Sequence, residues 1–421
     1  MTMIATTPAE GLRMPPEGAR LFAAPDPGRS THLATYGTIP DVTPAQLLEQ
    51  VRISGLTGRG GAGFPTVAKL EAVIAAANGR AVVVANGAEG EPASNKDAEL
   101  LRRAPHLVLD GLEVAARITG AQQAFAYLRP ELIPFVQQAL AEREGGLRIT
   151  VVPAGAGFVS GQETAVVSRL DSGPALPRFS RHRIFQRGVG GRATLVQNVE
   201  TLAQLALIAR YGGVWFASAG TADSTGTFLA TIHAVGQPLT TAATVWEINH
   251  GLPLRPVLAG AVGRPVEELQ AVLIGGYHGT WLPLPAAADV PLSRSGLEAF
   301  GATLGAGVMI PLGKNACGLE TTATIVGYLA RESAKQCGPC RFGLPELAHT
   351  FTALAAGKVG RTGVDAIRQA AGLVEGRGAC KHPDGTSRLI RSALRTFADD
   401  VRLHQHGRCL ARIAEPYGGA R

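Results

Sequence analysis

The sequence predicts an α/β fold for the first half of the chain, then a small α+β unit, then a C-terminal helical bundle. Three observations carry this. Residues Ala81-Val-Val-Val-Ala85 are apolar at every position, as in strands buried on both faces of a parallel sheet. Strand-like and helix-like segments alternate around that run, which is the signature of βα units. From about residue 317 onward the apolar spacing is helical only, with Gly-rich links.

In chain order, residues 1–40 are rich in Pro, Gly and Ala without a period and read as a poorly ordered leader. Thr43-Pro44 supplies an N-cap and a first-turn proline, and Leu47, Leu48 and Val51 then share a helical face. Pro65 opens a second helix with Val67, Leu70, Val73 and Ile74 as its stripe, closed by Asn78-Gly79. Helices at about 105–118 and 131–143 alternate with strands at 123–128 and 148–152. A Gly-rich turn at 155–161 leads into a helix near Glu163. Residues 195–211 read as one long helix, with Val196, Val199, Leu202, Leu205 and Ile208 at helical spacing. Between about 225 and 312 the β-rich runs Phe228–Val235, Ala271–Ile274 and Val308–Ile310 alternate with turns and one short helix around 266–270. Helices are expected at 317–331, 343–356, 363–375 and 386–403. The domain division that follows is 1–40, 41–215, 216–312 and 313–421.

Composition removes several function classes. A chain of 421 residues exceeds one ordinary core. No run of eighteen apolar residues exists, so direct membrane insertion is not expected. The N-terminus lacks a basic-then-apolar signal pattern, which points to the cytoplasm. The formal net charge is +7, but aromatic residues are sparse and not interleaved with the arginines, which argues against nucleic acid. Five cysteines, an odd number, argue against a disulfide framework.

The segment Gly55-Leu-Thr-Gly-Arg-Gly-Gly-Ala-Gly-Phe-Pro-Thr66 holds five glycines ahead of a helix, and Lys69 follows on that helix. Glycine lets backbone N–H groups approach a ligand without a Cβ in the way, and such groups beside a helix start make an anion cradle. A phosphate-bearing ligand is expected. It is not the dinucleotide fingerprint Gly-x-Gly-x-x-Gly after a strand, because a helix precedes it. The strand at 81–85 ends in Asn86-Gly-Ala-Glu-Gly-Glu-Pro92, so Asn86, Glu89 and Glu91 sit where ligands meet open α/β sheets. Acidic groups there suit hydroxyls or an isoalloxazine edge better than a second phosphate. Gly155-Ala-Gly-Phe-Val-Ser-Gly-Gln-Glu-Thr164 sets Phe158 and Glu163 beside a helix start, and Gln197 and Asn198 form an amide pair at the start of another. Cys337-Gly-Pro-Cys340 lies between helices and Cys380 follows at another junction, so three thiolates around one space suit an iron–sulfur cluster or zinc.

On these segments the chain resembles the flavin-bearing, NADH-oxidising F subunit of respiratory complex I. The likeness runs from about residue 45 to 405 through Gly58–Thr66, Glu89-Gly-Glu-Pro92, Gly161-Gln-Glu-Thr164, Val196-Gln-Asn-Val-Glu-Thr201 and Cys337-Gly-Pro-Cys340 with Cys380. Asn86-Gly-Ala-Glu89 is also similar to the C subunit of Rnf-type NADH:ferredoxin complexes. The resemblance implies an FMN-binding α/β domain, a ubiquitin-like domain of the soluble-ligand-binding type, and a helical bundle with a [4Fe–4S] cluster. It implies hydride transfer from NADH to FMN, with single electrons passed to the cluster and on to a ferredoxin-like or other redox subunit. By position, Gly58, Gly60, Gly61 and Lys69 would hold the FMN phosphate. Asn86, Glu89, Gly161, Asn198 and Thr201 would line the rest, and Phe64, Glu91 and Glu163 would face the nicotinamide nucleotide. The matching segments add Phe158, Gln162, Val196 and Gln197 to the cofactor-binding set.

The chain departs from that pattern in places. Ala334 stands where the family has the first cluster cysteine, which leaves three ligands. Cys317, Cys409, His382 or solvent could fill the fourth place, although Cys317 precedes a helix some sixteen residues long, roughly 24 Å. A Cys₃His zinc site and a [3Fe–4S] cluster are alternatives. Ala72 replaces the aromatic that stacks on adenine, and Ala88, Phe158 and Gln162 replace an aspartate, a tyrosine and a glutamate. Two further readings follow: a related flavin subunit using another donor such as ferredoxin, or a non-catalytic scaffold.

Overall fold

Four parallel strands organise the first part of the chain: β1 (Val82–Gly87), β2 (Gln123–Leu128), β3 (Ile149–Pro153) and β4 (Thr194–Asn198). The computed structural model describes residues 19–239 and 243–413. The strand order β3-β2-β1-β4 reverses direction between β1 and β4, with Asn86 directly across from Asn198. Around the sheet lie α1 (Arg29–Tyr36), α2 (Pro44–Ser54), α3 (Thr66–Ala77), α4 (Lys96–Arg103), α5 (Pro105–Thr119), α6 (Ile133–Ala141), α7 (Glu163–Leu170) and α8 (Val199–Tyr211). Thr43 and Gln46 form a reciprocal capping box at α2, and Asn78 ends α3 in the left-handed conformation. Helices α5 and α8 touch at Gly111, where a Cβ would stand 1.8 Å from the Leu202 carbonyl oxygen.

Strand β4 corrects the expected helix over 195–211. Leu195 and Val196 are buried on opposite faces, Val82 to Asn86 pair with Thr194 to Asn198, and α8 begins only after Asn198 accepts the Glu200 amide. The apolar spacing continues across the strand–helix junction, so periodicity alone cannot locate it. Ile74 is also corrected: it is 40% exposed, off the buried face of α3.

Residues 19–40 are packed rather than a loose leader, and 1–18 lie outside the described residues. Leu21 and Tyr36 are fully buried, and the Tyr36 hydroxyl donates to the Leu21 carbonyl at 2.9 Å. His32 reaches Asp110 at 2.7 Å, Arg143 meets the same carboxylate at 2.8 Å, and Arg210 completes the set. Burial works against ionisation of Asp110, but His32, Arg210 and Arg143 outweigh it and hold the acid far below its usual range. Ordering comes from this buried charge network, whose members lie far apart in sequence.

A second, mixed sheet has the order β10-β9-β11-β7-β8, built from β7 (Thr227–Ile232), β8 (Thr244–Asn249), β9 (Leu269–Ile274), β10 (Thr280–Pro283) and β11 (Val308–Gly313), after the two-residue strands β5 (Gly220–Thr221) and β6 (Ser224–Thr225). Its side chains alternate between two cores. Val272, Ile274 and Met309 face the helix Leu254–Val262, while Ala271, Leu273, Val308 and Ile310 face the C-terminal helices. Those helices are Gly318–Arg331, Leu344–Ala355, Arg361–Val374, His382–Thr396 and Ala398–His404, so the expected helix at 386–403 is two. Trp281 locks sheet to helices: its indole N–H donates to Thr322 at 3.0 Å and its amide to Ser392 at 3.1 Å. No helix among the described residues is long and apolar enough to cross a membrane.

Replacing Asp110 by Ala strands buried Arg210 without its counter-charge. Stability to urea is expected to fall by about 3 to 5 kcal/mol. A loss below about 1 kcal/mol would show that the network does not order the N-terminal segment.

Candidate flavin and cluster sites

Open α/β sheets bind ligands beyond the carboxyl ends of their strands, at the point where strand order reverses. Here that point lies between β1 and β4, and the glycine loop sits across it. The loop is closed at its base by a Thr57–Pro65 bridge and a bond from the Gly58 amide to the Phe64 carbonyl at 2.8 Å. Gly60 packs on Asn198 so closely that a Cβ would stand 3.2 Å from the Asn198 Cβ, and Gly61 has φ of +110°. Arg59 anchors the loop: its amide donates to the Thr201 hydroxyl at 2.8 Å, and its buried guanidinium bonds the Thr225 and Thr227 carbonyls. Among the described residues, the amides of Gly60 to Phe64 donate to no group outside the loop. A cavity of about 480 Å³ opens between this loop and the second sheet, lined in part by Gly61, Gly63, Lys96, Glu200 and His250. Its size is that of a small-molecule site. The unpartnered loop amides and the lysine on the next helix fit a phosphate-bearing ligand such as FMN, whereas Lys69, Asn86 and Asn198 are not among the residues that line this cavity.

Lys69 lies on the β4 side of the crevice. Its ammonium donates to the Val196 carbonyl at 2.7 Å and pairs with the Glu163 carboxylate. Val196 therefore offers its backbone, because its side chain is buried in the sheet core. Asn86 donates to the Gly161 carbonyl at 2.8 Å, holding the second glycine turn against the end of β1. Gln162 caps α7 by accepting the Thr164 and Ala165 amides. Gln197 is buried with its amide nitrogen unpartnered, and Asn198 donates to Asp97 at 2.6 Å while capping α8.

Beneath the loop lies a knot of buried charge. The Lys96 ammonium meets Asp97 at 2.6 Å and Glu200 at 2.9 Å, and Glu200 accepts the Leu229 amide of β7 at 2.9 Å. Burial pulls the Lys96 pKa down, but Asp97 and Glu200 outweigh it and keep the ammonium charged. Neither Arg59 nor Lys96 was singled out from the sequence. Lys96-Asp97 at the start of α4 is the one local signal, and its partner Glu200 lies more than a hundred residues away.

Three expected contact residues have other tasks. Glu89 caps α4, accepting the Ser94 hydroxyl at 2.6 Å and the Asp97 and Ala98 amides at 3.0 and 3.1 Å. Those donors at a helix start take up the carboxylate that the sequence assigns to the flavin. Glu91 turns toward the second sheet and accepts the Tyr277 amide at 2.8 Å and the Ala93 amide at 3.2 Å. Burial pushes its carboxyl up to about 7, against those two bonds. The Phe158 ring packs on His278 and His382, with centroids 4.6 and 5.4 Å away, at the junction with the C-terminal helices.

Near that junction Cys337, Cys340 and Cys380 lie close enough for each sulfur to act on the charge of another. Burial opposes ionisation of Cys337, yet amides of Ala379 and Cys340 and the Cys340 thiol bring its pKa below the usual range. Burial pushes Cys340 up to about 12, and the other two sulfurs add to that. Backbone amides aimed at closely set sulfurs fit thiolate ligands of a cluster. Ala334 brings no donor to the group. His382 spends Nε2 on the Leu329 carbonyl at 2.8 Å and keeps a buried, unpartnered Nδ1. Cys317 and Cys409 lie elsewhere, at the far end of a fourteen-residue helix of roughly 21 Å.

Residues 51–207 match the family model described as the Nuo51 FMN-binding domain, and residues 320–404 match the NADH-ubiquinone oxidoreductase-F iron-sulfur binding region. The chain is 30% identical over 390 residues to the F 2 subunit of NADH-quinone oxidoreductase in Rhizobium meliloti, covering 88% of this chain and 91% of that protein. It is 31% identical over 386 residues to the corresponding F subunit of Streptomyces coelicolor, covering 87% and 84%. Among solved structures it is similar to an NAD+-reducing [NiFe]-hydrogenase in the H2-reduced state, with TM-score 0.75 and 29% identity. That match covers 89% of this chain, which spans only 63% of the hydrogenase chain.

The Glu91 carboxyl generates a prediction. Its folded pKa is raised, so the unfolded chain ionises first, and stability falls as pH rises from about 4.5 to about 7. Glu91→Gln removes that loss. The variant is expected to gain about 1 kcal/mol or more relative to wild type between pH 5 and pH 8, read by thermal unfolding. A pH-independent difference would show that Glu91 is ionised throughout. With the loop, the crevice and the thiols in place, and with these relatives, the chain belongs to the family of NADH-quinone oxidoreductase F subunits, which are flavin- and iron–sulfur-dependent oxidoreductases.

Proposed function

We propose that this chain takes hydride from NADH at an FMN held in the crevice between β1 and β4, and delivers single electrons to a cluster at Cys337, Cys340 and Cys380. The observation that carries this reading is the meeting of the unpartnered loop amides with Asn86 and Asn198 at the strand-order reversal. FMN, when bound, supplies the exchange between two-electron and one-electron chemistry. The chain's own residues bind and orient. Gly60 and Gly61 offer backbone to the phosphate, while the Gly58 amide, expected to do the same, closes the base of the loop on Phe64 instead. The phosphate competes with Glu163 for the Lys69 ammonium. Asn86, Gly161, Gln197 and Asn198 border the rest of the ligand, and no side chain has to abstract a proton.

Nucleotide rings need exposed aromatic faces. Phe64 on the loop is 55% exposed and Phe179 is 81% exposed. Phe179 follows Arg178, whose amide is fixed to the Thr164 hydroxyl at 2.9 Å beside Glu163. These two rings supply stacking that Ala72 cannot. The three thiols hold a cluster with three protein ligands, and the free Nδ1 of His382 is the candidate for the fourth place. We read residues 41–215 as the flavin domain, with the packed segment 19–40 joined to it, 216–312 as a ubiquitin-like domain and 313–421 as the cluster-bearing bundle. A ferredoxin-like or other redox subunit takes the electrons. Five free cysteines support a reducing compartment, the cytoplasm, with membrane contact only through partners.

Anaerobically purified protein is expected to be yellow, and NADH is expected to bleach it within seconds. Gly61→Val is expected to abolish flavin retention. Phe64→Ala and Phe179→Ala are each expected to raise KM for NADH by roughly tenfold with kcat little changed. Colour that persists in excess NADH but bleaches with reduced ferredoxin would move the reading to another donor, which Ala72 favours. Protein unable to take up FMN would remove both.

A further inference from the structure

A second group of ligand-type side chains meets at the opposite end of the helix Gly318–Arg331. Cys317 caps that helix, its sulfur accepting the Glu320 amide at 3.4 Å. Asp400 and His404 lie one turn apart on Ala398–His404, and Cys409 lies in the link that follows, just before Leu410. The Cys317 sulfur stands 3.6 Å from an Asp400 oxygen and 3.5 Å from His404 Nε2, and His404 Nε2 stands 3.5 Å from the other Asp400 oxygen. One ligand atom from each of the four residues lies within 4.8 Å of all the others, and all four residues are buried.

Two features set this group apart from an ordinary hydrogen-bonded cluster. Elsewhere in the molecule a histidine beside an acid closes on it, as His32 does on Asp110 at 2.7 Å and His106 on Glu142 at 3.0 Å. His404 and Asp400 stay apart, and the sulfur keeps nearly the same spacing from both. Sulfur, nitrogen and oxygen ligands at zinc bond lengths, set at tetrahedral corners, lie about 3.3 to 3.8 Å from one another. The second feature is charge. Asp110 has arginines, whereas among the described residues no lysine or arginine pairs with Asp400. Neighbouring Arg402 pairs with Asp399, and Arg412 with Glu320 at 2.8 Å. Among the described residues His404, at 3.5 Å, is the only basic side chain beside this buried carboxyl group. An outer shell exists in the Glu320 amide on Cys317 and the Leu410 amide on Asp400 at 2.9 Å. Access exists as well: a cavity of about 610 Å³ is lined by His404 and Cys409.

We propose that Cys317, Asp400, His404 and Cys409 bind one zinc ion in a closed structural site. Binding releases the two thiol protons, and the ion ties residues 400–410 to the start of the helix whose other end carries the Cys337 group. Thiolate and imidazole with one carboxylate match zinc better than calcium or magnesium, which take oxygen. The site is separate from the cluster thiols and independent of the electron-transfer reading.

The test uses the full-length chain, reduced, exposed anaerobically to zinc chloride and desalted. The expected result is about one zinc ion per chain that Cys409→Ala loses and Cys337→Ser keeps, with iron and sulfide unchanged in Cys409→Ala. Cobalt(II) added to metal-free protein is expected to give tetrahedral bands with thiolate charge-transfer absorption. Wild-type protein that retains no zinc, equal zinc in Cys409→Ala, or a Cys317–Cys409 disulfide in a non-reduced peptide map would each overturn the proposal. If Cys409→Ala does not fold, zinc and the cobalt bands in Cys337→Ser decide it: their retention supports the site and their loss overturns it.

Discussion

The Lys96 ammonium is the point on which the upper part of the structure turns. It sits where the ends of β1 and β4, the starts of α4 and α8, and strand β7 of the second sheet come together. Asp97 and Glu200 neutralise it at 2.6 and 2.9 Å, and Glu200 reaches the Leu229 amide. Asn198, bonded to Asp97, forms the floor on which Gly60 lies. A buried charge is tolerated only when its partners are well placed, so this knot fixes the distance between the two sheets and the height of the loop. The cavity beside the loop follows from that distance.

The same logic joins the crevice to the cysteines. Glu91 leaves the end of β1 to hold the Tyr277 turn of the second sheet. Phe158, from the second glycine turn, meets His278 of that sheet and His382 of the C-terminal helices. Gly90 makes this possible, since a Cβ there would stand 2.2 Å from the Phe158 carbonyl oxygen. The ring cluster is the contact through which flavin side and thiol side are held in fixed relation. Residues read as ligand contacts thus become the frame that sets one site against the other.

Much of the candidate site was legible because its signals are local. The N-cap at Thr43, the glycine turn before Lys69 and the run of β1 into Asn86 each act over a few residues and form as read, whereas Cys340, expected between helices, lies in the helical turn Pro339–Gly343 that runs into Leu344–Ala355. The strand β4 was not legible. Its valines continue the spacing of α8, and only pairing with β1 makes Thr194 to Asn198 extended. With β4 hidden, the reversal of strand order could not be seen, so Asn198 read as a helix start, which it is, but not also as the partner of Asn86. Residues 19–40 were missed for a similar reason, since His32 and Tyr36 gain their order from distant groups.

By itself the sequence determined which backbone segments can approach an anion, where several helices begin and end, and that three thiols are available with Ala334 in place of a fourth. These depend on φ restrictions, capping and residue chemistry within a turn or two. Only the tertiary structure decided which charges meet: Lys96 with Glu200, Asp110 with Arg210, Cys317 with Asp400, His404 and Cys409. The physical reason is that a buried charge gains its partner across the fold, and the energy of that pairing depends on distances in space that spacing along the chain does not encode.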